Sequence, residues 1–307
     1  MKDYPNTLIE FEQRFSTEES CREYLETIRW PDGFLCPRCG SNQSWRKATG
    51  VQECRQCGYH ASVMAGTIFQ DTKKPLTLWF RAIWHITSQK YGVNALGIQR
   101  ILGFGSYRTA WSWLHKLRRA MIRPGRDRLS GVVQLDETYV GGKKPGKRGR
   151  GAEGKQLVLI AAQENGLKQI GRIRLFVIPD ASAASINKAV EQMIEPGTLI
   201  KTDGWNGYEK LKKNGYTHEI VREEATVGDD LLPACHRVAS LFKRWLLGTL
   251  QGGAGHKNLQ YFLDEYTFRF NRRTSKSRGM LFYRLIEQAV TVEPVLVKDL
   301  KATVKKV

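Results

Sequence analysis

Gly131-Val132-Val133-Gln134-Leu135-Asp136-Glu137 and Gly197-Thr198-Leu199-Ile200-Lys201-Thr202-Asp203-Gly204 are two apolar runs that each end on an aspartate. Between them Lys155–Gln163 and Ile170–Asp180 read as strands, and Ser182–Ile194 reads as a helix. Three successive strands, a helix and a further strand with a second aspartate are the order of a ribonuclease-H-like mixed α/β sheet. That order brings Asp136 and Asp203 to neighbouring strand ends. Two carboxylates there can hold magnesium ions, whose hard oxygen chemistry matches phosphodiester oxygens. A single aspartate at a strand end usually just starts a turn; the pair in this strand context favours a site. Strand alternation sends Glu137 to the face opposite Asp136, which leaves Asp136 as the ligand.

Beyond a strand at His218–Arg222, the run from Leu232 to Trp245 reads as a helix starting near Pro233. His236 and Lys243 are two helical turns apart on one face, one suited to metal ligation and the other to a phosphate contact, with Arg244 beside them. The competing reading of His236 is a buried residue facing the sheet. No Asp or Glu occurs from Pro233 to Leu263. A site of three carboxylates would need Glu223, Glu224, Asp229, Asp230, Asp264 or Glu265, none of which sits at the start of this helix.

Upstream, Cys36-Pro37-Arg38-Cys39 and Cys54-Arg55-Gln56-Cys57 form CxxC-x14-CxxC, each pair followed by glycine, Gly40 and Gly58. Two such knuckles can present four thiolates to one tetrahedral zinc, and a closed site of four cysteines makes that zinc structural. Cys21 and Cys235 lack partners at ligand spacing and read as packing residues. From residue 92 to 122 two short helices flank Gly103-Phe104-Gly105. The first places Ala95, Ile98, Ile101 and Leu102 inward. The second, capped by Ser106, turns Ala110, Trp113, Leu114 and Leu117 inward and leaves Arg108, Lys116, Arg118 and Arg119 polar. This reads as a helix-turn-helix with its recognition helix at 106–121, or as an ordinary hairpin with a solvated basic face. The neighbouring ribbon and the overall charge favour DNA binding. His85 and His115, set among tryptophans, read as core or hydrogen-bonding histidines rather than metal ligands.

Composition agrees with a nucleic-acid partner. The 307 residues hold 49 Lys and Arg against 30 Asp and Glu, a net charge of +19 that attracts a polyanion. With 41% hydrophobic residues the chain can bury several cores, which excludes general disorder. The start lacks a basic segment followed by an apolar one, and no run of about 18 apolar residues occurs, so a cytoplasmic, nucleoid-associated protein without a membrane partner is expected. Paired cysteines in a reducing compartment favour metal over disulfides. Lys143 to Lys155 carries six Lys or Arg in thirteen residues, among them Lys143, Lys144, Lys147, Arg148 and Arg150, and reads as a phosphate-tracking or simply solvated loop. The expected divisions are a helical lead-in (1–29), zinc ribbon (30–70), helix-turn-helix region (71–125), ribonuclease-H-like catalytic domain (126–290) and basic tail (291–307).

Taken together, these motifs resemble the zinc-ribbon-bearing DDE-type transposases of prokaryotic insertion sequences, the group related to Merlin transposons. The likeness runs through Trp30 to Gly40, Gly105 to Trp111, Leu135 to Gly142, Thr202 to Trp205, His236 to Trp245 and Tyr261 to Arg273. It implies an active site of Asp136, Asp203, a third residue and a downstream lysine, which Lys243 fits. Several branches carry glutamate as the third residue, whereas others resemble this chain in carrying Asn or His. The departure leaves two roles for His236. Imidazole suits manganese better than magnesium, and it can instead orient water or a phosphate. The implied activity is metal-dependent cleavage at the element ends followed by joining of the freed 3′-hydroxyl to target DNA. The implied partners are double-stranded DNA and, by analogy with the family, further copies of the chain as a homodimer or larger assembly. A DNA-binding regulator or inactive derivative, and a nuclease without strand transfer, are the alternatives.

Overall fold

The computed structural model describes residues 3–141, 155–166, 169–224, 226, 230–250, 258–295 and 300. The chain begins with helices α1 (Leu8–Arg14) and α2 (Glu18–Arg29), strands β1 (Ser44–Arg46), β2 (Gln52–Cys54) and β3 (His60–Ala61), and helices α3 (Leu76–Ser88), α4 (Ala95–Leu102) and α5 (Tyr107–Ala120). Strands β4 (Val132–Val140), β5 (Gln156–Glu164) and β6 (Ile170–Ile178) follow, then α6 (Ala183–Met193), β7 (Leu199–Thr202) and β8 (Thr217–Ile220). Helices α7 (Pro233–Leu250), α8 (Leu259–Phe270) and α9 (Arg278–Ala289) complete the order.

Met1–Pro124 and Thr274–Thr303 cluster as one unit, and Gly125–Arg273 as another. In the first unit the lead-in is two helices. Thr17 starts the second with a reciprocal capping box to Ser20. Glu18 then reaches the start of α3, where its carboxylate accepts from the N–H groups of Leu76 (2.8 Å) and Thr77 (2.9 Å). Pro75 offers that helix no side-chain cap, so Glu18 supplies the missing acceptor. The core is aromatic. Phe282 of α9 packs edge-on against Phe11, Phe80 and Trp84 at centroid distances of 5.4, 5.7 and 5.8 Å. This packing corrects the expected boundary at 290: the chain leaves the second unit at Arg273, because α9 fills the core begun by α1, α2 and α3.

The second unit is built on a five-stranded sheet in the order β6-β5-β4-β7-β8. Strands β4, β5 and β6 are mutually antiparallel, whereas β7 and β8 run parallel to β4. Residues Leu157 to Ala162 of β5 are buried without alternation because both faces of the sheet are covered. On one face Val133, Leu135 and Ile200 pack with Ile186, Val190 and Met193 of α6. On the other, Val140, Val158 and Ile160 pack with Val238 and Phe242 of α7 and Leu263 and Tyr266 of α8.

Two sequence expectations shift here. Strand β4 does not stop at Asp136 but runs to Val140, since β5 pairs with it from Val133 to Val140. The strand expected at 218–222 ends at Ile220, and Val221–Glu224 forms a 3-10 turn.

Candidate active site and metal centre

The four cysteines converge. All four Sγ atoms lie within 4.8 Å of one another. The Sγ distances are 3.7 Å between Cys36 and Cys57 and 3.5 Å between Cys39 and Cys54. A tetrahedral zinc with bonds of about 2.3 Å needs ligand sulfurs about 3.8 Å apart, so the residues fit. Each knuckle closes identically: Gly40 N–H donates to the Cys36 carbonyl (2.9 Å) and Gly58 N–H to the Cys54 carbonyl (3.0 Å). Both glycines have positive φ, 74° and 66°, a conformation that a side chain would strain. Burial pushes the Cys54 thiol up, but the backbone N–H groups of Gln56 and Cys57 outweigh it and bring it down to about 6. A thiolate is the form that binds metal.

In the helical segment α4 starts at Asn94, whose side chain accepts from Gly97 N–H at 2.7 Å, and α5 packs Trp113 flat on Trp79 with centroids 3.6 Å apart. Arg108 and Arg119 are exposed, and Lys116 is half-buried. Arg118 is a correction. It is only 2% exposed and donates to the Val93 carbonyl at 3.5 Å, so it lies on the inward face rather than among the outer cations. Ile101, expected inward, is exposed. His115 is buried against Trp111, and burial lowers its imidazole to about 3, which keeps it neutral. Lys143, Lys144, Lys147, Arg148 and Arg150 lie outside the described residues.

The carboxylates of the second unit follow from strand register. β4 and β7 pair in parallel with Gln134 opposite Lys201. Two residues further along both strands, the same register aligns Asp136 with Asp203 just where β7 ends at Thr202. Ladder pairing stops there, so the chain can diverge and open a cleft. Gly204 makes the exit tight: a Cβ on it would come within 2.6 Å of Ile220 Cγ2. Asp203 Oδ1 accepts from Trp205 N–H at 3.0 Å, and its Oδ2 lies 3.7 Å from the Arg222 guanidinium.

Asp136 lies on the face of the sheet that α7 covers. Alternation holds as expected: Glu137 turns to the other face and accepts from the buried Tyr208 hydroxyl at 2.5 Å. His236 extends from the first turn of α7, with its Nε2 3.4 Å from Asp136 Oδ2 and its Nδ1 2.5 Å from Asp230 Oδ1. Its side chain is 53% exposed, so the buried reading of His236 does not hold. Two turns on, Lys243 donates to Thr138 Oγ1 at 2.7 Å, and Arg244 is exposed beside it. Burial raises the Asp136 carboxyl to about 6; Glu137 and Asp203 push the same way, and His236 opposes them. A carboxylate so crowded by negative charge favours a cation beside it. The donors suit a divalent ion, and 3.4 Å is close to the separation of about 3 Å between adjacent ligands on an octahedral ion with bonds of 2.0–2.1 Å. Asp203 is less tightly drawn in. Among the described residues, the four cysteines are the one group of three or more His, Cys, Asp or Glu whose donor atoms all converge within 4.8 Å.

Residues 128–271 match the ISXO2-like transposase domain. Residues 16–60 match a transposase zinc-ribbon domain. The chain is also similar to a protein of the transposable element ISH50 of Halobacterium salinarum, with 26% identity over 255 residues covering 76% of this chain and 84% of that protein. These matches support a transposase. The transposase-domain segment contains Asp136, Asp203, His236 and Lys243, and the zinc-ribbon segment contains all four knuckle cysteines. No helix among the described residues is long and apolar enough to cross a membrane.

Of the other acidic residues weighed for the site, Glu265 is fully buried on α8 and ion-paired with Arg269 at 2.9 Å, and Asp264 is buried and accepts from Gln260. Asp229 and the side chains of Glu223 and Glu224 lie outside the described structure. Sequence reasoning missed the parts played by Asp230, Thr138 and Arg222. Only Thr138 carried a signal, since a residue two along a strand from Asp136 shares its face.

Proposed function

We propose that this protein is a DDE-type DNA transposase of the insertion-sequence group related to Merlin transposons, which cleaves element ends and joins them to target DNA. The observation that carries the reading is the approach of His236 Nε2 on α7 to within 3.4 Å of Asp136 Oδ2 on β4, beside the parallel strand β7 that leads directly into Asp203. The sheet order, with three antiparallel strands followed by two parallel ones, supports the ribonuclease-H-like assignment.

Asp136 and Asp203 hold the catalytic magnesium or manganese, with His236 as a nitrogen donor. When bound, the ions supply Lewis-acid stabilisation of the charge that develops on a phosphodiester. Lys243, held over the same face by Thr138, contacts a phosphate and fixes the scissile backbone. The exposed Arg108, Arg119 and Arg244, with Lys116, add backbone contacts, and α4 with α5 acts as the helix-turn-helix that reads the element ends. The nearness of His236 to Asp136 favours an active enzyme over an inactive derivative.

The test is incubation of the purified protein with duplex DNA carrying the ends flanking its gene, with magnesium or manganese. Cleavage at the ends and joining to a second duplex are expected. Cleavage without joining would make the protein a nuclease, and binding without cleavage a regulator.

A further inference from the structure

Both ring nitrogens of His236 face carboxylates. Nδ1 is 2.5 Å from Oδ1 of Asp230, three residues before α7 starts at Pro233, and Nε2 faces Oδ2 of Asp136 at the wider distance of 3.4 Å. A neutral imidazole carries one N–H and one lone pair, and the neighbouring groups decide which nitrogen has which. An ionised aspartate can only accept. A short bond to Asp230 therefore selects the proton at Nδ1 and leaves the Nε2 lone pair directed at Asp136. Metal-bound histidines are oriented in the same manner, by a carboxylate or carbonyl on the nitrogen that does not bind.

We propose that Asp230 is a positioning residue that fixes the tautomer and ring direction of His236, so that Nε2 serves as a ligand to the divalent ion held by Asp136. This inference rests on the metal-site reading above. It gives the site a substitute for the third carboxylate. The imidazole supplies the donor atom on α7, and Asp230 supplies the negative charge one bond further out. The carboxylate of Asp230 is 56% exposed, so packing does not explain its place.

The zinc-loaded, full-length protein is titrated with Mn2+. Electron paramagnetic resonance gives the affinity, and spin-echo nitrogen modulation reports an imidazole bound to the ion. Wild-type protein should show the modulation, and His236→Ala should lose it. Asp230→Ala removes the acceptor and should weaken Mn2+ binding by about tenfold or more and lose the modulation. Asp230→Asn keeps an acceptor oxygen without the charge, so it should keep the modulation and lose less affinity. Equal behaviour of the two Asp230 variants with the modulation intact would reduce Asp230 to a nearby charge and overturn the proposal. An unchanged affinity in Asp136→Asn would instead overturn the metal-site reading, and the proposal with it.

Discussion

Lys243 Nζ donates to Thr138 Oγ1 at 2.7 Å, two residues along β4 from Asp136 and on the same face. Partial burial lowers the lysine pKa, and the nearby Lys155 adds to that, while Asp136 opposes them. On the proposed function, Thr138 is the guide for an ammonium whose partner would be a phosphate. Lys243→Ala should slow single-turnover cleavage by about tenfold to a hundredfold, a loss of roughly 1.4–2.7 kcal/mol. Thr138→Val, which removes only the guide, should cost less. A larger effect from Thr138→Val than from Lys243→Ala would contradict this division of roles.

Asp136 links stability to pH. Its folded pKa of about 6 lies above the ordinary 3.8. The contribution of the protonated acid is thus present below about pH 4 and is lost as pH rises through about 6. At neutral pH the ionised group should destabilise the metal-free protein by at most roughly 3 kcal/mol. Asp136→Asn should raise the metal-free Tm by a few degrees near pH 7.5, lose that gain near pH 4, and abolish cleavage. Thermal melts at the two pH values are decisive. A gain of the same size at both would remove ionisation as its cause.

His236→Ala should lose cleavage with little change in Tm, because the side chain is half exposed. His236→Glu should support magnesium-dependent cleavage, since a carboxylate on that turn reaches the same cleft and suits the harder ion. Wild-type activity in His236→Ala with both metals would sink the ligand assignment.

The ribbon should contain one zinc per chain. Cys36→Ser or Cys54→Ser should release it and open residues 30–69 to protease, because the short strands β1 to β3 have little core beyond the metal. Metal analysis and limited proteolysis check this. Retained zinc in both variants would exclude a four-cysteine site.

Glu265→Gln should lower stability while sparing the chemistry. It removes the negative charge of a fully buried carboxylate that pairs with Arg269, at a cost of roughly 3 kcal/mol. Metal binding and cleavage by the folded fraction should match wild type.

Much of this arrangement was legible because local chemistry fixed it. Paired cysteines with trailing glycines specify two knuckles whatever surrounds them, and apolar runs broken by turns mark the strands of the sheet. The alternation that parts Asp136 from Glu137 is a property of any strand. Other features depend on partners distant in sequence. β4 continues past Asp136 only because β5 pairs with it that far. Arg118 faces inward because the Val93 carbonyl is there to meet it. Asp230 gains meaning only when α7 brings His236 beside it. The place of α9 was also hidden, since nothing near residues 278–289 reveals that their aromatic partners lie near the opposite end of the chain.

That return of the chain has a genetic consequence. A ribosome finishes the aromatic half of the N-terminal unit long before it reaches Phe282, so the core waits for a plug encoded after the whole second unit. A frameshift or stop codon before codon 278 would yield a fragment with an open hydrophobic core, prone to aggregation and degradation. Deletions that remove the 3′ part of the gene should therefore leave no stable N-terminal product.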